Sequence, residues 1–408
     1  MKKIAKNPKI SVENGIVKLE NVNALEIAQN FGTPCFIFLE NKIRANCRKL
    51  KQELLAFLPD LHLFYSIKSN FLAQVCKTVH EEGYGVEVIS QLEYRYAKSL
   101  GFFPSEIEAG SPYLPDGFLQ ELIADNVREI ILYNTNTINK LIELTRHYPH
   151  QQDIAIFFIP SRHGRRLGFQ LVPEEIKSIS QRIEKIPNIV LKTISCHYGT
   201  QILNPKTYSQ MASDLLDAVV LFEQNGIKVL NINLGGGFPE ANSLNREKIR
   251  QLGSDLKELL DQRGFNRLGI IFEPGRYIVG DAGIILSSIY FWEERDRWAY
   301  LDAGNHICPK FSKSNFRFYN VSRPMDTNDF KTNIGGVIPT DQDVLAKNYF
   351  FTEKISVGDI VAILNAGAYT ITFSNRFPFP FPPIIWINND KMFCLSNRGQ
   401  FPEIKFEE

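Results

Sequence analysis

From about residue 60 the chain alternates between two textures: a short β-prone run ending in small or polar residues, then a helix-like stretch. The runs are "LHLFYSIKSN", "YGVEVIS", "IEAGSPY", "EIILYN", "DIAIFFIP", "VLKTISCHYG", "KVLNINLGGG" and "GIIFEPGRY", eight in all. The segments between them, such as "AQVCKTVHEEG" and "YSQMASDLLDAVVLFEQNG", carry apolar residues at helical spacing. Strand–helix alternation predicts a parallel sheet, and eight units predict an α/β fold of the (β/α)8 TIM-type barrel class. A doubly wound sheet is the alternative that the same pattern permits.

After about residue 285 long helices disappear, and "IILSSIYFWEE", "RWAYLDAG", "DIVAILNAGAYTITF" and "PIIWINNDKMFCLS" read as strands. The Asn-Asn-Asp inside the last predicts a hairpin, and the proline-rich "FPFPFPP" at 377–383 predicts an extended loop. A second, mainly β domain is therefore expected, completed by the N-terminal "GIVKL" and "CFIFLE". The expected division is a barrel over 39–284 and a β-rich domain over 1–38 and 285–408.

At 408 residues, 44% of them hydrophobic and with a net charge of +1, the chain can bury such a core and offers no basic excess to attract nucleic acid or a membrane surface. No apolar run approaches the roughly 20 residues that span a bilayer. The N-terminus carries no apolar block of the kind a signal peptide needs. The six cysteines form no CxxC pair, so neither a disulfide framework nor a zinc cluster is indicated, and a reducing cytoplasm is the expected setting.

A barrel places its reacting groups at the C-terminal ends of its strands. Those ends hold Lys68, Ser90, His197, Gly235, Gly236, Gly237, Glu273 and Arg276. Lys68 follows the apolar "LHLFYSI", whose low-dielectric walls are expected to lower its pKa toward the neutral amine that imine chemistry requires. The glycine triplet allows backbone N–H groups to close around a phosphate. It is no dinucleotide fingerprint, because the spacing fails at Glu240. Glu273 in "FEPGRY" can hold a proton on a ring nitrogen, and Arg276 can bind a phosphate or carboxylate. His197 can lie flat on an aromatic cofactor, with Thr200 at a phosphate. Singly, each has a plainer explanation: a solvated loop lysine, a flexible turn, a surface ion pair, a structural histidine. Together on one rim they point to catalysis.

In order and spacing, "FGTPCFIF", "FYSIKSN", "YGVEVISQLE", "ILYNTNTINKL", "RLGF", "SCHYGTQ", "NLGGGFP", "EPGRY" and "NAGAYT" resemble the fold-type III pyridoxal-5′-phosphate (PLP) decarboxylases, from about residue 30 to about 375. That family contains the diaminopimelate, ornithine and carboxynorspermidine decarboxylases. The resemblance implies Lys68 as the Schiff-base lysine, His197 stacked on the cofactor ring and Glu273 at the pyridine nitrogen. Gly235, Gly236, Gly237, Gly275, Arg276 and Tyr369 would surround the phosphate, with Ser90 and Thr200 nearby. Glu87 stands where the family commonly has aspartate. It further implies a homodimer whose sites form between the barrel of one subunit and the β domain of the other.

Two segments depart from the family. Its cysteine motif in the β domain reads here "GGVIPTDQDVL", with Pro339 at the cysteine position and Asp343 kept, and its arginine-proline pair is replaced in "DAGNHICPK". Cofactor binding is thus expected to be intact and the substrate-facing half rewritten, with Arg166, Asp343 and His306 as candidate substrate contacts. The missing thiol leaves Asp341, Asp343, Cys308, His306 or Lys68 to return a proton to carbon, with Lys68 or a neighbouring water favoured. The leading reading is decarboxylation of an amino acid or amine-bearing carboxylate, in specialised-metabolite or siderophore biosynthesis. Its rivals are a PLP racemase or a decarboxylation-coupled transaminase or oxidase, and a catalytically silent binding relative.

Overall fold

The structure, a computed structural model, describes residues 2–4, 6–159, 167–184 and 186–404. All eight sequence-derived runs form barrel strands. They are β1 (Leu61–Ser66), β2 (Gly85–Val88), β3 (Ile107–Gly110), β4 (Glu129–Leu132), β5 (Gln152–Ile159), β6 (Ile189–Cys196), β7 (Asn231–Asn233) and β8 (Gly269–Phe272). Each pairs in parallel with its successor, and β8 pairs with β1 through Ile270↔Leu61, so the sheet closes and the doubly wound alternative is excluded.

Helices follow the strands on the outside, several with side-chain N-caps: Ser90, Asn134 and Asn245 accept N–H groups from Glu93, Thr137 and Lys248 at 3.2, 2.9 and 3.0 Å. The helical ring is completed from the front of the chain. After β8 comes only the short helix Arg276–Val279, whereas Glu40–Leu55 precedes β1 and presents a buried stripe of Ile43, Cys47, Leu50 and Leu54 at helical spacing.

Apart from the short strand Phe169–Gln170, which pairs with β5, the remaining strands build a mainly β domain. Cys35–Leu39 lies between Gly283–Glu293, antiparallel to it, and Ile384–Asn388, parallel to it. Every residue of "CFIFL" is therefore buried: Cys35, Ile37 and Leu39 face one apolar cluster, Phe36 and Phe38 the other. The predicted hairpin is present, with Asn388 opposite Lys391 and Asn389 at φ 58° in the turn. Among the described residues no helix is long and apolar enough to cross a membrane.

Candidate active site

A cavity of about 500 Å³ opens at the C-terminal ends of the barrel strands. Lys68 sits in a single 3-10 turn, Ile67–Ser69, directly after β1, so its side chain enters the cavity instead of following the strand. Its ammonium donates to both oxygens of Glu87 on β2, at 2.8 and 2.6 Å, and Ser66 Oγ donates to Glu87 Oε2 at 2.7 Å. Burial alone acts to lower the Lys68 pKa, but Glu87, then Tyr369 and Glu273, outweigh it and hold the ammonium above the ordinary lysine value. The expectation of a lowered pKa is thus reversed, because the acid on the neighbouring strand outweighs the apolar run around the amine.

Glu273, one residue past β8, lines the same cavity. Asn233, the last residue of β7, donates to its Oε1 at 2.7 Å and accepts the Gly235 N–H on Oδ1 at 2.8 Å. Burial, then the charge of Glu87, pushes the Glu273 carboxyl up to about 7, against the opposing pull of Lys68 and of the Asn233 amide. His197 follows β6 and also faces the cavity. Tyr133, just past β4, stacks on Phe157 of β5 at 4.4 Å between ring centroids and forms an aromatic side wall.

The glycine loop closes the far end. A Cβ on Gly236 would stand 2.5 Å from the Glu273 carbonyl oxygen, and one on Gly237, at φ 87°, 2.6 Å from that of Gly199. Side chains are excluded there, leaving a backbone-lined hollow beside Gly275 and Thr200. Arg276 is buried alongside it, donating to Ser312 O at 2.5 Å and Ser314 Oγ at 3.1 Å, with Glu240 Oε1 3.4 Å away. Its Nε is buried without a hydrogen-bond partner. Its guanidinium lies over the Tyr369 ring, 5.0 Å from the centroid. Tyr369, at φ 62°, comes from this chain's own β domain, tied down by its N–H to Ser69 O at 2.7 Å; Asn70 Nδ2 bonds Gly367 O at 2.9 Å. Tyr369 therefore reaches the cavity wall within one chain. A backbone hollow, an orphaned guanidinium N–H, an amine and an acid lining the same cavity are groups of the kind that PLP, with its phosphate, aldehyde and ring nitrogen, would require.

Other candidates lie elsewhere. Ser90 is not among the cavity-lining residues; its hydroxyl caps the following helix. Arg166 lies outside the described residues. Asp343 is buried and spends both oxygens on backbone, taking the Asn305 and Ile338 N–H groups at 2.7 Å each. His306 is buried near Phe379, and neither ring nitrogen has a hydrogen-bond partner; burial lowers its pKa, with Asp343 and Asp302 opposing. Cys308 is buried, which raises its thiol pKa. Pro339 and Asp341 are exposed at the loop that Asp343 anchors. None of these five lines this chain's cavity. Sequence reasoning passed over Tyr133, Phe157, Asn233 and Glu108. For Glu108 the available signal was an acid within the otherwise apolar strand Ile107–Gly110, and for Asn233 its place directly before the glycine loop.

The family described as "Pyridoxal-dependent decarboxylase, pyridoxal binding domain" matches residues 40–280. Diaminopimelate decarboxylase of Methanothermobacter thermautotrophicus is 27% identical, covering 97% of this chain and 96% of its own. L-glutamyl-[BtrI acyl-carrier protein] decarboxylase of Niallia circulans is 24% identical over 95% and 96%. The crystal structure of diaminopimelate decarboxylase from M. jannaschii superposes with a TM-score of 0.87 at 20% identity, covering 98% of both chains. With barrel, β domain and cavity in place, the match over most of the barrel identifies this chain as a member of the pyridoxal-dependent decarboxylase family, a PLP-dependent carboxy-lyase of amino-acid metabolism.

Proposed function

We propose that Lys68, His197 and Glu273 carry the decarboxylation, with Lys68 as the Schiff-base residue. The observation that supports this most is the convergence of Lys68, Glu87 and Glu273 in one cavity with the glycine hollow and Arg276 at its other end. When bound, PLP supplies an electron sink conjugated to the substrate's amino nitrogen. The chain supplies the rest. Glu87 is the acceptor for the proton that Lys68 must lose before its nitrogen is nucleophilic, 2.6 Å away. Glu273 as a carboxylate would keep a proton on the ring nitrogen, with Asn233 holding that carboxylate in place. His197 would cover the ring. The glycine loop, Arg276 and Tyr369 would anchor the phosphate.

As carbon dioxide leaves, its bonding pair stays on the substrate carbon, which must gain a proton. Lys68, facing the cavity and paired with Glu87, is the donor we assign. Pro339 has no ionisable group, Asp343 is committed to backbone and the Cys308 thiol is buried. The altered "GGVIPTDQDVL" and "DAGNHICPK" segments favour an amino acid or amine-bearing carboxylate of a specialised pathway as the substrate. We also propose a division at residues 39 and 284, and a homodimer in which the exposed Pro339 loop of one subunit approaches the cavity of the other.

Borohydride reduction of the purified holoenzyme followed by peptide mapping tests the assignment. A cofactor adduct is expected on Lys68, and Lys68→Ala is expected to lose both that adduct and carbon dioxide release from a panel of amino acids. A reducible adduct on another lysine would refute it.

A further inference from the structure

Three glutamates occupy one register across adjacent barrel strands: Glu87 on β2, Glu108 on β3 and Glu129 on β4. Glu87 is paired with Lys68, and Glu129 is buried in the lower barrel near Thr193. Glu108 is fully buried. A completely buried carboxyl needs a partner or a proton, because burial penalises the ionised form steeply. Its nearest cation, Arg128, is at 3.5 Å from Oε1, partly exposed and drawn over the Phe64 ring.

The other oxygen of Glu108 faces the cofactor side. Asn233 Nδ2 lies 3.5 Å from Glu108 Oε2 and 2.7 Å from Glu273 Oε1. Because Asn233 Oδ1 is taken by the Gly235 N–H, the carboxamide cannot turn over, and its two N–H groups are committed to the two acids. Two carboxylates sharing one amide nitrogen inside a barrel repel if both are ionised. The one beside the Lys68 cation bears the charge more easily, so Glu108 carries the proton. Burial, then Glu129 and Glu273, holds its carboxyl well above the ordinary range against the pull of Arg128.

We propose that Glu108 is a positioning residue for the reaction: through the Asn233 carboxamide it fixes the orientation and charge of Glu273, and so the binding of the cofactor ring. The inference rests on the assignment of Glu273 to the ring nitrogen. Glu108 presents the second acceptor that squares the amide between β3 and β8, and Asn233 passes that alignment both to Glu273 and to the glycine loop. The groups facing Glu108 are Asn233, Glu129, Arg128 and Glu273; those facing Glu273 are Asn233, Glu87, Lys68 and Tyr133.

The test is PLP titration of the cofactor-stripped full-length protein by absorbance, as a function of pH, with fold checked by circular dichroism. Glu108→Gln keeps a neutral acceptor and is expected to bind PLP within about twofold of wild type with an unchanged pH midpoint, whereas Glu108→Met is expected to bind about fivefold or more weakly. In Glu108→Met the midpoint moves to higher pH, since a slackened Asn233 stabilises the Glu273 carboxylate less. In a Glu273→Gln background Glu108→Met is expected to add no further weakening. Should Glu108→Met not fold, Asn233→Ala cuts the same link and is expected to weaken PLP binding likewise. The proposal is overturned if Glu108→Gln is as damaging as Glu108→Met, if neither Glu108→Met nor Asn233→Ala weakens binding, or if the Glu108→Met effect persists undiminished without Glu273. A wild-type protein that formed no Lys68 adduct would instead overturn the assignment beneath it.

Discussion

Two glycines given the same methyl group are expected to respond in opposite directions. Gly236 lies in the backbone hollow, and a Cβ there would stand 2.5 Å from the Glu273 carbonyl oxygen, where ordinary contact begins at 3.4 Å. The glycine loop and the end of β8 must part by about 0.9 Å, and neither is a flexible side chain. They are also tied together, since the Glu273 N–H bonds the Gly235 carbonyl at 2.9 Å. Overpacking of this kind costs about 1–3 kcal/mol. At roughly 2–4 °C per kcal/mol for a domain of 150–250 residues, Gly236→Ala should melt about 2–12 °C lower. Because the displaced atoms line the phosphate hollow and carry Glu273, PLP binding should weaken with it. Gly117, in the helix Asp116–Ala124, has nothing within 4 Å of its would-be Cβ. Gly117→Ala should gain a few tenths to about 1 kcal/mol from helix propensity and leave PLP binding alone. Differential scanning calorimetry and PLP titration of both variants are the assays. A Gly236→Ala protein that melts and binds like wild type, or two variants that shift alike, would refute the reasoning.

Three further outcomes are expected. Glu273 ionises at about 7 in the folded, cofactor-free protein against 4.5 for a free side chain. The folded state therefore binds more protons between those values, stability falls as pH rises from about 4.5 to 7, and Glu273→Gln should flatten up to about 3 kcal/mol of that decline, read from urea melts across the range. Pro339→Cys should leave PLP binding unchanged but alter turnover or the ratio of amine to side products; an unchanged rate, stereochemistry and product ratio would mean the loop is remote from the reacting carbon. Sedimentation at assay concentrations should show a dimer, and a fully active monomer would contradict the shared site.

The strands were legible because β-branched and aromatic runs punctuated by small residues leave few alternatives once eight recur in step. Lys68, Glu273 and the glycine triplet were legible because they stand at strand ends, where local sequence and position in the barrel coincide. What escaped depends on neighbours distant in the chain. The state of Lys68 is set by Glu87 on the adjacent strand, and the partners of Asn233 come from β3, β8 and the glycine loop. Ser90 shows the converse: its place at a strand end was visible, but it is equally the N-cap of the helix Gln91–Ser99, and its hydroxyl serves there. Asp343 was visible as a retained acid, yet the backbone that consumes both of its oxygens belongs to residues 305 and 338.

The strand Cys35–Leu39 has a consequence for how the two domains can move. It sits inside the C-terminal sheet and runs straight into the helix Glu40–Leu55, while the other passage between domains is the direct step from the turn Gly280–Ala282 into Gly283–Glu293. These two crossings are adjacent, because Gly283 pairs with Phe38. The domains thus share a double-stranded neck with no single swivel. Rotation about one free linker would have to break that pairing, and Tyr369, fastened to Ser69 and lying against Arg276, adds a second tie between the two parts.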